Sequence, residues 1–270
     1  MKISIVTIVY NGVNNIEDCL RSVLSQDFPN IEHIVIDGGS TDGTLGVIER
    51  FKHNIAVFKS EPDEGLYDAL NKGISAATGD VVGILHSDDL FLHSSVLSSV
   101  AQVFEEKNVD VLYGDGIYSK RDDLHVVKRI YHGGRFKRFK LYFGWMPLHT
   151  TMFVRNSVYE KHGLYDKDFE IAGDYDVCMR WFKDNSLSKY YLKDYLVNMR
   201  IGGRSTVMHL QKKKSAEDLK IINRHHLLGV FTLACKIGRK IPQYISPYFY
   251  NKPVSLLERC YQPLKEVVGY

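Results

Sequence analysis

An α/β fold, built on a mostly parallel sheet with helices over both faces, is what residues 1 to 85 predict. Three observations predict it. β-branched runs alternate with segments whose apolar residues recur at helical spacing, in the order βαβαβαβ. The strand patterns are short and continuously apolar, as in sheets covered on both faces. Each run also stops at a cluster of Gly, Asn, Asp or Pro, the residues of turns.

Ile3 to Val9 is the first strand, and Ile16, Leu20, Val23 and Leu24 follow on one face of a helix. Ile31 to Ile36 reads as the second strand, and Thr44 to Phe51 as a short helix with Leu45, Ile48 and Phe51 on one side. Ile55 to Phe58 gives a third strand, Leu66 to Ala77 a third helix, and Val81 to Leu85 a fourth strand. No internal repeat or low-complexity linker interrupts the chain before residue 206.

The 270 residues suffice for one large domain, or one domain with an appendage. At 44% hydrophobic and 25% charged residues, the composition is that of an ordered globular chain. The four cysteines (Cys19, Cys178, Cys235, Cys260) form no CxxC pair, which argues against structural zinc and suits a reducing, cytoplasmic setting. The N-terminal "MKISIVTIVYNG" reads as a core strand and lacks a signal-peptide cleavage pattern. The longest apolar run near the C-terminus, Leu227 to Cys235, is too short to cross a bilayer. The net charge of +3 is unevenly spread. From Thr206 to Tyr270 eleven Lys/Arg face four Asp/Glu, leaving +7, so Met1 to Ser205 carries −4. A basic tail on an acidic body predicts a polyanionic surface as the tail's neighbour.

The chemistry is concentrated where the strands stop. The first ends at Tyr10-Asn11 and the second at Asp37-Gly38-Gly39. The third leads into Glu61-Pro62-Asp63 and the fourth into Ser87-Asp88-Asp89. Open α/β sheets bind ligands outside the carboxyl ends of their strands, and all four runs deliver polar or acidic groups there. Acidic groups repel a phosphate unless a divalent cation lies between them. Hard oxygen ligands suit Mn²⁺ or Mg²⁺ bridging to a substrate diphosphate. One carboxylate of the pair then serves the metal while the other meets a sugar or ribose hydroxyl. The alternative is that Asp88 or Asp89 caps a helix beginning at Phe91. Asp37 stands either as an acceptor for a nucleobase or ribose or as an Asx-turn residue. A P-loop is excluded because Thr44 stands where Walker A needs lysine, and no GxGxxG follows the first strand.

Five segments, "SIVTIVYNG", "VIDGGSTDGT", "SEPDEGLYDALNKGISAATGDVVGILHSDD", "HTTMFVRNSVYEKHGLYDKDFEIAGDYDVCMRW" and "GGRS", are spread along residues 3 to 205. In these the chain resembles family 2 glycosyltransferases of the GT-A fold, with bacterial surface-polysaccharide enzymes as the nearest kin. The resemblance implies a GT-A catalytic domain over 1–205, with a nucleotide-sugar-binding half at 1–115 and an acceptor-binding half at 116–205. A basic helical tail, 206–270, follows outside it. It implies a nucleotide-diphosphosugar donor (a UDP-sugar foremost), Mn²⁺ or Mg²⁺, a glycan or lipid-linked acceptor, and inverting hexosyl transfer. Position by position, Tyr10, Asn11, Asp37, Asp63 and Asp88 belong to the donor site and Asp89 is the metal ligand. Arg204, in the "GGRS" loop, closes on the diphosphate, and His149 lies on the acceptor side. The family's Glu-Asp motif, whose Asp is the catalytic base, aligns with Gly173-Asp174, so Glu is replaced by Gly here.

Inversion by single displacement needs a base for the acceptor hydroxyl and charge neutralisation on the departing diphosphate. Asp174 lies near the start of a helix that turns Val177, Trp181 and Phe182 to the core, where it also suits an N-cap. Asp176 is the alternative base, but Arg180 stands at i+4 as its ion-pair partner, which favours Asp174. His149 reads equally as a packing histidine, "GGRS" as a surface turn, and His209 as a metal ligand or a structural residue. "RIYHGGRFKRFKLYFGW" interleaves cations with aromatics in the manner of single-stranded nucleic-acid sites. Acidic strand ends argue against nucleic acid, and the segment reads as facing acceptor or membrane. The tail helix, with Leu227, Leu228, Phe231, Leu233 and Ile237 among cations, suits either an anionic lipid surface at the inner membrane face or packing on the catalytic domain. The rival to an enzyme is a non-catalytic sugar-nucleotide or carbohydrate-binding module, which needs neither base nor acidic motif.

Overall fold

The computed structural model describes residues 1–202 and 210–248. Its first half runs β1 (Ile3–Val9), α1 (Ile16–Leu24), β2 (Ile31–Asp37), α2 (Thr44–Arg50), β3 (Val57–Ser60), α3 (Leu66–Ala76) and β4 (Val81–Ile84). There follow β5 (Leu90–Phe91), α4 (Val96–Lys107), β6 (Val111–Lys120), β7 (Asp123–Tyr131), β8 (Phe153–Arg155), α5 (Asn156–His162), α6 (Gly173–Lys183) and β9 (Lys189–Arg200). Three further helices close the described chain: α7 (Gln211–Arg224), α8 (Val230–Gly238) and α9 (Lys240–Ile245).

One sheet holds the strands in the order β3-β2-β1-β4-β8-β6-β9-β5, with β7 paired to β6. The four strands read from the sequence, β3-β2-β1-β4, are parallel throughout. Beyond β4 the sheet is mixed: β8 runs antiparallel to β4 and β6, and β5 antiparallel to β9, while β9 is parallel to β6. Strand β1 shows why its sequence is apolar on both sides. Ile3 and Ile5 enter a core with α1 and α4, whereas Val6 and Ile8 enter the opposite core with α3 and α6.

Some local expectations shift. The third strand begins at Val57; the 3₁₀ turn Lys52–Asn54 precedes it and leaves Ile55 packed against the cluster of Ile48 and Phe51. In α2 the buried side chain beside Ile48 is Val47, and Leu45 faces solvent. Helix α6 buries Val177, Trp181 and Phe182 completely, as its spacing predicts. Helix α7, from the basic tail, sends Ile221 and Ile222 into the same core as α6, so the packing alternative holds for this part of the tail. Among the described residues no helix is long and apolar enough to cross a membrane.

Candidate active site

Parallel register sets the strand ends side by side: Val9 lies opposite Asp37, Asp37 opposite Ser60, and Val6 opposite Ile84. Side chains build the turns beyond them. Asp37 is fully buried; one oxygen accepts from the Gly39 and Ser40 N–H groups (both 3.0 Å) and from Ser60 Oγ (2.7 Å). Its other oxygen accepts from Ser40 Oγ at 2.5 Å. The structure therefore gives Asp37 the Asx-turn role, with both oxygens engaged inside the protein. Asn11, in the left-handed region at φ 49°, gives its N–H to Ser40 Oγ (2.8 Å) and accepts the Thr41 N–H on Oδ1 (2.9 Å). Outward from this braced floor stand the exposed Tyr10 ring and the Asp63 carboxylate. A Cβ on Gly38 would fall 2.3 Å from Asp63 Oδ2 and 3.4 Å from Tyr10 Cδ2, so only glycine lets those groups meet over the end of β2.

No helix follows the acidic pair. Leu90–Phe91 forms a strand on Asn198 and Val197, and α4 starts only at Val96, which removes the capping alternative for Asp88 and Asp89. Asp89 is buried, with Oδ1 accepting the Arg200 N–H at 3.3 Å. Its Oδ2 has no partner among the described residues. Burial, reinforced by the neighbouring Asp88 charge, pushes the Asp89 pKa well above the ordinary carboxylate value. A buried carboxylate left half-satisfied is costly, and such an oxygen is a natural ligand for a hard cation. Asp88 pairs with the Arg121 guanidinium at 2.7 Å, while the Arg200 guanidinium holds the Asp88 carbonyl at 2.9 Å and pairs with Asp18. Among the described residues no three His, Cys, Asp or Glu form a metal cage. Mn²⁺ or Mg²⁺ on a diphosphate ordinarily needs only one or two protein carboxylates, so the donor set fits such an ion.

Asp174 is the second residue of α6, and no side chain caps that helix from within. Its Oδ1 accepts the Tyr175 N–H at 2.9 Å and its Oδ2 lies 3.4 Å from His149 Nδ1. His149 Nε2 in turn lies 2.9 Å from His86 Nε2, three residues before Asp89. A continuous line of side chains thus joins the end of β4 to the start of α6. Burial opposes ionisation of Asp174, but His149, Lys214, Lys236 and the Tyr175 N–H outweigh it and hold the pKa below its ordinary value. Burial lowers His149, and burial followed by the His149 charge pushes His86 down to about 4.

Asp176 has a different occupation. It is 2% exposed and meets Arg180 (3.0 Å), Arg224 (3.3 Å) and His225 (3.1 Å), tying α6 to the end of α7. The replacement of Glu by Gly at 173 also has a cause: a Cβ there would sit 2.8 Å from the Tyr67 ring, whose hydroxyl accepts the Asp174 N–H at 3.3 Å. Glu217 of α7 accepts the N–H groups of Glu170 (3.1 Å), Ile171 and Ala172 (both 2.9 Å), fixing the segment that leads into α6.

Of the residues expected from sequence, Tyr10, Asn11, Asp37, Asp63, Asp88 and Asp89 lie along one sheet edge, and His149 adjoins Asp174. Arg204 and His209 lie outside the described residues. Sequence reasoning missed His86, Tyr67, Arg121, Arg200 and Glu217. His86 had a signal, since it stands one place before Ser87 on a strand end; the others meet the site from distant segments without a motif.

The sequence profile of glycosyl transferase family 2 matches residues 4–191. An uncharacterized glycosyltransferase of Mycobacterium tuberculosis is 35% identical over 181 residues, covering 66% of this chain and 68% of its own. A PGL/p-HBAD biosynthesis glycosyltransferase of Mycobacterium bovis is 28% identical over 233 residues, 84% of this chain and 86% of that one. Among solved structures, S. aureus TarS 1–349 in complex with UDP-GlcNAc superposes with a TM-score of 0.67 at 20% identity, covering 87% of this chain and 69% of that one. The chain spans 64% of TarS 1–349 in a further crystal structure of that protein. The mannosyltransferase PcManGT from Pyrobaculum calidifontis, in complex with GDP-Man and Mn²⁺, superposes at 0.63 with 16% identity over 98% of this chain and 80% of its own. The structural likenesses establish the fold, which is GT-A.

Proposed function

Because the chain belongs to glycosyl transferase family 2, we propose that it is a metal-dependent, inverting glycosyltransferase that moves a sugar from a nucleotide-diphosphosugar to a glycan or lipid-linked acceptor in bacterial surface-polysaccharide synthesis. The donor proposed is a UDP-sugar. The observation that carries the reading is the line His86–His149–Asp174, which draws a carboxylate from the second half of the chain to the acidic strand end of the first. A binding module has no use for a carboxylate so held.

In this reading Asp89 would hold Mn²⁺ or Mg²⁺ through its unpartnered oxygen, with Asp88 beside it, and the ion supplies charge neutralisation for the departing diphosphate. Tyr10 and Asp63 line the donor side, over the loop that Asp37 and Asn11 brace. Asp174, kept ionised by its neighbours, takes the acceptor hydroxyl proton as that oxygen attacks the anomeric carbon from the face opposite the leaving group. His149 and the Tyr175 N–H hold the carboxylate in place for that transfer. The protein works at the inner face of the membrane, in peripheral contact with it. Purified protein with Mn²⁺, offered UDP-, GDP- and dTDP-sugars, should release UDP from one or more UDP-sugars. Failure to bind or turn over any donor in that panel sinks the reading.

A further inference from the structure

Helix α8 buries polar side chains while leaving several apolar ones outside. Its buried side chains are Thr232 and Lys236, whereas Val230, Phe231 and Ile237 are 69%, 51% and 52% exposed. The inward contacts are specific. Thr232 Oγ1 donates to the Tyr142 carbonyl at 2.8 Å and accepts the Leu228 N–H at 3.1 Å. Lys236 pairs with Asp218 of α7 at 2.6 Å and lies over the Tyr175 ring. These bonds set the rotation of α8, which turns Leu233 against the core and leaves Val230, Phe231 and Ile237 pointing away from it. Single exposed apolar residues are ordinary, but here Phe231 is joined to further exposed rings outside α8. Phe143, from the 3₁₀ turn Arg138–Phe143, packs edge-on against Phe231 (5.8 Å) and Phe139 (6.4 Å). Helix α9, which contacts α8, adds exposed Ile241 and Ile245.

The segments that build the patch carry charge of one sign. Residues 132–148 and 225–248 contain no Asp or Glu, and Arg135, Lys137, Arg138 and Arg239 are all exposed. We infer that this composite face, made of the 3₁₀ turn, α8 and α9, docks on an anionic phospholipid bilayer. The proposal rests on, and makes specific, the membrane-contact part of the reading above. An apolar stripe that enters the headgroup boundary while flanking cations meet anionic lipid is the arrangement of interfacial helices. The same positive charge weighs against other occupants. A second copy would bring the cations face to face. Residues 249–270 set Lys252, Arg259 and Lys265 against Glu258 and Glu266, leaving little negative charge to meet the rim. The face also adjoins the site: Tyr244, Ile245 and Tyr248 line a groove of about 650 Å³ with Lys120, Arg121, Lys128 and one acid, Asp122, which is paired to Lys120; Arg121 is the ion-pair partner of Asp88. A docked molecule would therefore hold its acidic strand end one groove away from the headgroups.

Flotation of the full chain with phosphatidylcholine vesicles, with and without phosphatidylglycerol, tests the proposal beside two variants. One carries Phe143→Ser, Phe231→Ser and Ile237→Ser, and the other Arg135→Glu and Lys137→Glu. The expected result is flotation with anionic vesicles only, weakened by high salt and reduced about tenfold or more in each variant, with unchanged melting curves and unchanged release of nucleoside diphosphate in solution. The charge variant keeps the test decisive if the triple variant does not fold. Absence of wild-type flotation overturns the proposal, as does undiminished flotation of a folded variant. A wild-type dimer that becomes monomeric in the triple variant overturns it by assigning the face to a second copy. Flotation without turnover of any sugar nucleotide would leave the docking face standing and remove the transferase reading instead.

Discussion

His149 Nδ1 lies 3.4 Å from Asp174 Oδ2, and this contact ties the carboxylate on α6 to the strand end that carries the acidic pair. Asp174→Asn should keep donor affinity, since the amide preserves shape, while transfer falls by about 10²–10⁴-fold, the usual cost of losing a general base. His149→Ala should cost less in rate but alter the pH profile. It removes a group that lowers the Asp174 pKa, so the acidic limb of kcat/KM should move to higher pH. Unchanged rates in Asp174→Asn, with donor binding intact, would remove Asp174 from the chemistry.

Asp89 leads to a prediction about protons. Burial and Asp88 raise its pKa, so the ionised form that a metal requires is disfavoured in the bare site, and metal uptake should expel a proton. Calorimetric titration of Mn²⁺ with UDP, in buffers of different ionisation enthalpy, measures that release. Asp89→Asn should abolish it and weaken Mn²⁺-dependent donor binding by more than the about 10–100-fold that loss of an outer partner costs. Equal proton release and affinity in the variant would show that Asp89 is not the ligand.

For Asp176 the structure predicts a stability defect. Its carboxylate neutralises Arg180 and meets Arg224 and His225, and breaking a buried pair typically costs about 3–5 kcal/mol. The partial exposure of Arg224 places Asp176→Asn toward the low end of that range. Chemical denaturation should show the loss, and specific activity per folded molecule should stay near that of the parent. A dead enzyme with unaltered stability would instead make Asp176 the base.

The four parallel strands were legible because β1, β2 and β3 are each followed by a helix before the next strand, so local period alone reveals the order. The rest was not. Strands β6 and β9 pair residue 111 with residue 189, and β8, three residues long, is inserted between β4 and β6. Such pairing leaves no local period to read. The same holds in the site. Asp88 and Asp89 announce themselves at a strand end, whereas Arg121, Arg200 and Glu217 arrive by tertiary contact. Likewise, α8 carries a readable apolar stripe, but its outward rotation is set by Lys236 and Asp218, a pair that spans two helices.

Gly173 tests whether Tyr67 is the reason for the missing glutamate. The Cβ of Gly173→Ala would meet Tyr67 Cε2 and Cζ at 2.8 Å, a contact that real side chains avoid. Overpacking of this kind costs about 1–3 kcal/mol. Tyr67→Ala should recover part of that loss in the double variant, giving a non-additive cycle. Additive effects would mean that the two positions do not compete for space.

His33 supplies the pH dependence of the fold. The ring is 5% exposed, its Nε2 lies 3.0 Å from Thr7 Oγ1, and burial pushes its pKa down to about 4 from an ordinary value near 6.5. Folded protein therefore keeps this histidine neutral over a range in which the unfolded chain binds a proton. Stability is fully present above about pH 6.5 and is lost as pH falls toward 4, below which both states are protonated. A shift of that size corresponds to a loss on the order of 3 kcal/mol across the window. Denaturant midpoints between pH 7.5 and 4.5 should fall in the parent, and His33→Gln, which keeps a polar partner for Thr7 but does not titrate, should flatten the decline. Equal slopes in parent and variant would assign the acid sensitivity to other groups.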